Sequence, residues 1–277
     1  MRWPLERILV GTDFSPSAGA ALEVAASLAH ATEARVDLLH CLFRPGEDEE
    51  RARERMRRRA EEAGVPDAGL LVVRGEPADQ LSLARDERGA DLVVVGAAGL
   101  RGLRGFLLGS VADRMLRRPG SPLLLVREAR GHGELKQIAV GLELPDAETP
   151  ALHAAVRLAG ATTGELCVIH ALPPRGYLSD RRHVEMHPET AAARIEAIVA
   201  RLDAGVPFQT SVHPGDPVDE ISLVVKRLDP DLLVIGAERN PDGWPGRVAD
   251  RMARTGPAAL LLVWPEARRP PQGPEGG

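Results

Sequence analysis

Two polar segments in the first half of the chain have the residue types and positions of a phosphate site. Gly11-Thr12-Asp13 comes directly after the apolar run Ile8–Val10. A glycine-rich segment from Gly96 to Val111 follows the apolar run Leu92–Val95 and leads into a predicted helix near Ser110. Glycine lets the backbone turn and approach a phosphate closely, and the free amides at a helix start favour an anion. These segments predict that the first half binds a phosphorylated ligand.

Other motifs limit the chemistry that this site is expected to perform. Arg101 and Arg104 lie in the glycine-rich segment, where they either close over the bound charge or are solvated loop residues. The chain has no G-x4-G-K-S/T segment, which is the phosphate loop of fast NTPases, and no G-x-G-x-x-G segment after a strand. No general base and no metal site can be identified. We therefore expect at most weak hydrolysis of a bound nucleotide.

An internal repeat organises the whole chain. Arg7-Ile-Leu-Val-Gly11 recurs as Gln137-Ile-Ala-Val-Gly141, and Val111-Ala-Asp-Arg-Met115 recurs unchanged at 248–252. Further matches follow in the same order at offsets of 130 to 140 residues. Chance does not produce so many matches in one order, so the chain is predicted to contain two copies of one domain.

Short apolar runs alternate with helical patterns within each copy. In the first copy the runs predict strands at 8–10, 36–42, 70–73, 92–95 and 123–126, and helices are predicted at 17–30, 47–63, 78–88 and 110–118. Continuous apolar runs suit strands that are buried on both faces of a parallel sheet. The alternation predicts doubly wound α/β domains. The predicted parts are domains at 1–128 and 134–265 and a disordered tail at 266–277.

The composition excludes several classes of protein. A net charge of −5 and a pI near 5.9 argue against nucleic-acid binding, which usually needs a basic surface. No apolar run approaches the roughly 20 residues that cross a bilayer, so we expect no membrane partner. Two cysteines exclude a disulfide scaffold and favour a reducing compartment. The chain is therefore predicted to be cytoplasmic.

The nucleotide motif of ATP-binding universal stress proteins resembles Gly96-x2-Gly99-x9-Gly109-Ser110, and Asp13 matches their acidic residue after the first strand. The resemblance covers both repeats, from about residue 5 to residue 265. It implies two tandem domains, each with a five-stranded parallel sheet of order 3-2-1-4-5 that is flanked by helices.

The resemblance also implies which residues of the first repeat bind ATP. Asp13 would bind the ribose and adenine side, and the backbone at Cys41 would meet the adenine. The glycine-rich segment would hold the phosphates, with Mg²⁺ or Mn²⁺ bridging them. The complete set of candidate residues is Gly11, Thr12, Asp13, Cys41, Gly96, Gly99, Arg101, Gly102, Gly109, Ser110 and Val111.

The second repeat departs from the motif, so one ATP is expected per chain. Glu143 replaces Asp13, Arg239 replaces Gly99 and Arg247 replaces Ser110, and the loop is three residues shorter. We expect the two arginines to fill the former phosphate site and to pair with Glu143 or Glu238. A long side chain prevents the close backbone approach that glycine allows.

The resemblance leaves three functions open. The first is an ATP-binding protein of stress response or regulation that hydrolyses ATP slowly or not at all. The second is a scaffold that recruits partners and holds ATP structurally. The third is a nucleotide-dependent enzyme of the same fold superfamily.

The fifth strands, Leu123–Val126 and Leu260–Val263, are expected to pair and make an intramolecular pseudo-dimer, and a homodimer of the whole chain is possible.

Overall fold

The computed structural model describes residues 1, 3–43, 46–98, 108–118, 120–129, 133–143, 148–172, 186–202, 205–238, 240, 242–256 and 259–265. The tail at 266–277, which we predicted to be disordered, lies outside this part of the chain. The first repeat consists of β1 (Arg7–Gly11), α1 (Pro16–Thr32), β2 (Arg35–Leu42), α2 (Glu49–Glu62), β3 (Gly69–Arg74), α3 (Pro77–Arg88), β4 (Leu92–Gly96), α4 (Ser110–Leu116) and β5 (Leu123–Val126).

The second repeat has the same order of strands and helices. It consists of β6 (Gln137–Leu142), α5 (Pro150–Thr162), β7 (Glu165–Leu172), α6 (Pro188–Leu202), β8 (Phe208–Pro214), α7 (Pro217–Leu228), β9 (Leu232–Gly236), α8 (Arg247–Thr255) and β10 (Ala259–Val263). In the first repeat every predicted strand and helix is present, with bounds that differ by a few residues.

The helix starts are encoded locally, and in the same way in both repeats. Four helices begin at a proline directly after a capping residue, whose side chain accepts a hydrogen bond from an amide of the first turn. Proline suits the first helical position because it has no amide to leave unpaired there. The four caps are Ser15, Glu76, Thr149 and Asp216. The cap at Ser15 confirms the helix start predicted there.

All ten strands form one continuous sheet of order β3-β2-β1-β4-β5-β10-β9-β6-β7-β8. The order 3-2-1-4-5 predicted for each repeat is present in each half, but the two sheets are joined rather than separate. The joint is an antiparallel pairing of β5 with β10, in which Leu124 lies opposite Leu261. The predicted pairing of the fifth strands is therefore confirmed. Two apolar edge strands cover each other in this way.

Helices cover both faces of the sheet and bury its strands on both sides. One core contains side chains of α1, α2, α5 and α6, and the other contains side chains of α3, α4, α7 and α8. Alternate residues of a strand point to opposite faces, so Ile8 and Val10 lie in the first core and Leu9 lies in the second. Within the described ranges, no helix is both long enough and apolar enough to span a membrane.

The strand order places a natural binding position between β1 and β4. These two strands are adjacent and parallel, and Gly11 is the partner of Val95 near their carboxyl ends. From β1 the chain continues through α1 on one face to β2, whereas α3, which leads into β4, packs on the other face. In open α/β sheets ligands bind outside the carboxyl ends of the strands where the order reverses.

Candidate functional site

The two segments singled out in the sequence leave the sheet side by side. Thr12 and Asp13 follow the end of β1, and Ala97 follows the end of β4. The amide of Thr12 donates to the carbonyl of Leu39 at 2.8 Å, which extends the pairing of β1 with β2. The amide of Ala97 donates to the carbonyl of Val126 at 2.7 Å, which extends the pairing of β4 with β5. The sheet thus holds both segments in place.

Gly96 is required by packing at this edge. A Cβ atom at Gly96 would lie 2.6 Å from the hydroxyl of Ser17 and 2.9 Å from the amide nitrogen of Ala18. The absence of a side chain therefore lets the first turn of α1 lie directly against the end of β4. The hydroxyl of Ser17 donates to the carbonyl of Ala98 and ties α1 to the glycine-rich loop. Sequence reasoning assigned Gly96 to phosphate contact and did not find its role in packing.

The glycine-rich loop starts and ends at one hydrogen-bonded pair. The amide of Gly109 donates to the carbonyl of Ala97 at 2.8 Å. The loop returns to the edge of the sheet at this bond, and α4 begins at the next residue, Ser110. Gly109 has φ −64° and ψ 153°, an extended conformation that other residues also adopt. The predicted site residues Gly99, Arg101 and Gly102 belong to this loop and lie outside the described residues.

Asp13 and Thr12 shape the turn between β1 and α1. Oδ1 of Asp13 accepts a hydrogen bond from the amide of Ser15 at 2.9 Å, and the hydroxyl oxygen of Thr12 accepts one from the amide of Phe14 at 3.1 Å. Such local bonds from short polar side chains stabilise turns. They hold Phe14 at φ +62°, which is uncommon for a residue with a side chain. The Asp13 carboxylate is fixed at the edge by this turn and is half-buried.

Three side chains contact one another at this turn, with the rings of Phe14 and His40 tilted by 44°, and sequence reasoning missed this cluster. The ring centroids of Phe14 and His40 are 4.5 Å apart, and Cζ of Arg55 lies 3.8 Å from the centroid of Phe14. Nδ1 of His40 donates to the carbonyl of Thr12 at 2.8 Å. His170 makes the same bond to the carbonyl of Leu142 in the second repeat. The occurrence of histidine at equivalent positions of the two repeats was the sequence feature that could have indicated this bond. In each repeat this histidine holds the backbone at the carboxyl end of the first strand.

Cys41 lies near the end of β2, and its thiol is a weak nucleophile. Burial, followed by the negative charge of Glu76, raises the pKa of its thiol to about 12. Burial also raises the pKa of the Cys167 thiol to about 11. A neutral thiol is a weak nucleophile and a poor metal ligand. The contribution of Cys41 to a ligand site is therefore the shape and backbone of its strand.

The second repeat closes its corresponding loop differently. The amide of Glu238 donates to the carbonyl of Pro245 at 3.0 Å, which closes a shorter loop. Gly246 has φ +96°, a conformation that favours glycine, and a Cβ atom there would lie 2.8 Å from Oε1 of Glu238. Glu238 therefore packs against the backbone at the start of α8.

Arg247 also differs from the expectation for the second repeat. Its guanidinium forms an ion pair of 3.3 Å with Asp216, the cap of α7. The expected partners were Glu143 and Glu238, and no sequence pattern favours Asp216. Asp216 corresponds to Glu76 of the first repeat, which pairs with Arg114 at 2.6 Å. Arg239, the other arginine that we expect to fill the former phosphate site, lies outside the described residues.

Comparison with known proteins gives a consistent result along both repeats. The sequence pattern of the universal stress protein family matches residues 4–45, 43–127 and 134–263. A universal stress protein from Thermus aquaticus is 33% identical over 134 residues, which are 43% of this chain and 97% of that protein. One from Methanocaldococcus jannaschii is 33% identical over 84 residues, which are 30% of this chain and 49% of that protein. The chain spans about half the length of this relative and of another curated relative.

The whole chain also has a counterpart of known structure. The crystal structure of a universal stress protein from Archaeoglobus fulgidus superimposes with a TM-score of 0.73 at 18% identity. The match covers 95% of this chain and 99% of that one, so the two share a fold over their full extent. With family matches that follow one another along both repeats, the chain belongs to the universal stress protein family and contains it in tandem.

Proposed function

We propose that this protein acts in stress response or its regulation by binding one ATP in its first repeat. The observation that carries the proposal is the position of Asp13 beside the loop that returns at Gly109. Both lie at the carboxyl edge of adjacent strands, where the strand order reverses. This edge provides a carboxylate for a ribose hydroxyl and, at Ser110, the start of a helix whose first amides suit phosphates.

The proposed contacts follow from the geometry of each segment. Asp13 would accept hydrogen bonds from the ribose, and the backbone at Cys41 would lie against the adenine. The amides of Ser110 and Val111 begin α4 and would donate to phosphate oxygens, because the first amides of a helix have no partner within it. Gly109 would leave room for the phosphates. Gly11, Thr12 and Gly96 would keep the two loops together, since their contacts are with the protein.

A divalent ion would enter this site together with the triphosphate. No group of three or more histidine, cysteine, aspartate or glutamate side chains is placed to hold a metal ion within the described ranges. Mg²⁺ commonly keeps several waters and binds through phosphate oxygens of a substrate. The residues present fit an ion of this kind, Mg²⁺ or Mn²⁺, which would offset the charge of the phosphates.

Slow hydrolysis is part of the same proposal. Asp13 already accepts the amide of Ser15, and His40 donates Nδ1–H to the carbonyl of Thr12 while its ring lies against Phe14. A general base must reach the attacking water, whereas Asp13 would be occupied by Ser15 and the ribose, and His40 is occupied by Thr12. We therefore propose that the protein holds ATP far longer than an NTPase would.

Calorimetric titration with ATP and Mg²⁺ tests the site. Asp13→Asn keeps an oxygen that can accept the amide of Ser15 but removes the charge, whereas Asp13→Ala removes both. Loss of a hydrogen bond to a charged group costs about 1.5–3 kcal/mol, or about ten- to hundredfold in affinity. Gly109→Val should also weaken binding, because the added side chain takes up room for the phosphates. The fold should be kept, since valine tolerates the φ and ψ of this residue.

The matched control is Glu143→Ala, which alters the equivalent residue of the second repeat. We expect this variant to bind ATP as tightly as the original protein. Unchanged affinity in both Asp13→Ala and Gly109→Val, with circular dichroism showing intact folding, would contradict the assigned site.

A further inference from the structure

A second cleft lies in the other half of the molecule, on the outer side of α8. Its volume is about 580 Å³, and it is open to solvent. Its walls include Val218 at the start of α7, Trp244 in the loop before α8, and three arginines of α8 at positions 247, 251 and 254. Clefts of roughly 300–1,000 Å³ are the size that small molecules occupy. The lining combines one large aromatic ring, three guanidinium groups and the carboxylate of Asp250.

Two of the three arginines in this cleft are paired with carboxylates. Arg247 pairs with Asp216, and Arg254 pairs with Asp250 at 2.9 Å and with Asp113 at 3.3 Å. The side chain of Arg251 is exposed and makes no ion pair or hydrogen bond with any described residue. The guanidinium of Arg251 therefore has its donors available in a cleft that also contains an aromatic ring.

In the first repeat, the arginine at the equivalent position has an acidic partner. Arg114 is the residue that corresponds to Arg251, and it is paired with Glu76 at 2.6 Å. The acidic residue at the equivalent position of the second repeat is Asp216, which is shorter by one methylene and is paired with Arg247 instead. The replacement of Ser110 by Arg247 has thus diverted the acidic partner and left Arg251 available.

Trp244 is held rigidly beside these arginines. Its amide donates to Oδ1 of Asp242 at 3.0 Å, and its carbonyl accepts from Nδ2 of Asn240 at 2.9 Å. The backbone of Gly243 packs against the carbonyl of Arg117 from the first repeat, where a Cβ atom would lie at 2.5 Å. The exposed fraction of Trp244 is 36% although its backbone is fixed on both sides. An exposed aromatic ring on a fixed backbone offers a stacking surface, because less chain entropy is lost on binding.

We propose that this cleft binds a small aromatic anion with a single carboxylate, sulfonate or phosphate group. The ring of the ligand stacks on Trp244, and its anionic group accepts hydrogen bonds from Arg251, with Arg247 beside it. A guanidinium matches the planar geometry of such a group through two parallel N–H donors. Neither Trp244 nor Arg251 belongs to the proposed ATP site, which lies in the first repeat.

Calorimetric titration of the full chain with 2-naphthoate tests the proposal. We expect one naphthoate per chain, with much weaker binding of acetate, which has the charge without the ring. The neutral compound 2-naphthol, which has the ring without the charge, should also bind much more weakly. Arg251→Gln should lower the affinity for naphthoate at least tenfold, and Trp244→Ala at least fivefold. Arg114→Gln is the matched control in the first repeat and should leave the affinity unchanged.

Two further results separate this cleft from the ATP site. Naphthoate should bind equally well to Asp13→Ala and to protein saturated with ATP, whether or not ATP binds where we propose. Displacement of naphthoate by ATP, equal affinity in Arg251→Gln, or no binding at 10 mM naphthoate would each overturn the proposal. Thermal unfolding of each variant distinguishes a loss of binding from a loss of folding.

Discussion

Asp113 on α4 and Arg254 on α8 form an ion pair of 3.3 Å across the junction between the two repeats. Both side chains are one-third exposed, and such pairs contribute about 0–1 kcal/mol. The antiparallel partners Leu124 and Leu261 at the same junction are each 1% exposed. Truncation of a fully buried leucine costs about 2–5 kcal/mol. Apolar burial therefore dominates the energy of the junction.

The first prediction compares these two contributions. Leu261→Ala should lower the free energy of unfolding by about 2–5 kcal/mol because it leaves a cavity beneath the sheet. Arg254→Ala should lower it by no more than about 1 kcal/mol. Urea unfolding followed by circular dichroism measures both. Equal losses in the two variants would show that charge, and not burial, holds the repeats together.

The second prediction uses two glycines at equivalent positions. Gly96→Ala should destabilise the protein by about 1–3 kcal/mol, because the added Cβ atom overlaps the first turn of α1. Gly236→Ala should change stability by less than about 0.5 kcal/mol, since its nearest neighbour is Cβ of Ala151 at 4.0 Å. Thermal unfolding of the two variants gives the comparison. If Gly96→Ala leaves the thermal stability unchanged, α1 does not lie against β4 as described.

The third prediction concerns alkaline pH. The thiol pKa is raised from 9.0 to about 12 at Cys41 and to about 11 at Cys167. Above pH 9 the unfolded chain loses these protons while the folded protein keeps them, so stability should fall as the pH rises from 9 towards 11. The loss approaches about 1.4 kcal/mol per pH unit for each thiol.

The variant that combines Cys41→Ala with Cys167→Ala is the control for this effect. It is expected to be less stable at pH 7, because two buried side chains become smaller, but its stability should depend much less on pH above 9. Urea unfolding between pH 8 and pH 11 measures both slopes. The same slope in the original protein and the variant would refute a role for the thiols.

The sequence predicted the fold well because the signals for it are local or repeated. Apolar runs defined the strands, and proline after a capping residue such as Ser15 defined helix starts. The pairing of the leucine-rich fifth strands was expected partly because an apolar edge strand needs a partner and partly from the resemblance to the family. The union of both sheets into one was not predicted as such, although it follows from that pairing.

The contacts that the sequence could not provide depend on how separate elements pack. His40 bonds to the carbonyl of Thr12, 28 residues away, and nothing in the local pattern of either residue indicates this bond. The choice of Asp216 by Arg247 likewise depends on the distance between the starts of α7 and α8. Gly96 was singled out as a site residue by its motif, but its packing role becomes visible only when α1 lies against it.

The central claim is that the first repeat, and not the second, binds ATP. Equilibrium dialysis with labelled ATP and Mg²⁺ tests it most directly, because it counts the ligands bound to each chain. We expect one ATP per chain, a loss of nearly all binding in Asp13→Ala, and no change in Glu143→Ala. A stoichiometry near two, of which half remains in Asp13→Ala, would contradict it by showing that the second repeat is a working site.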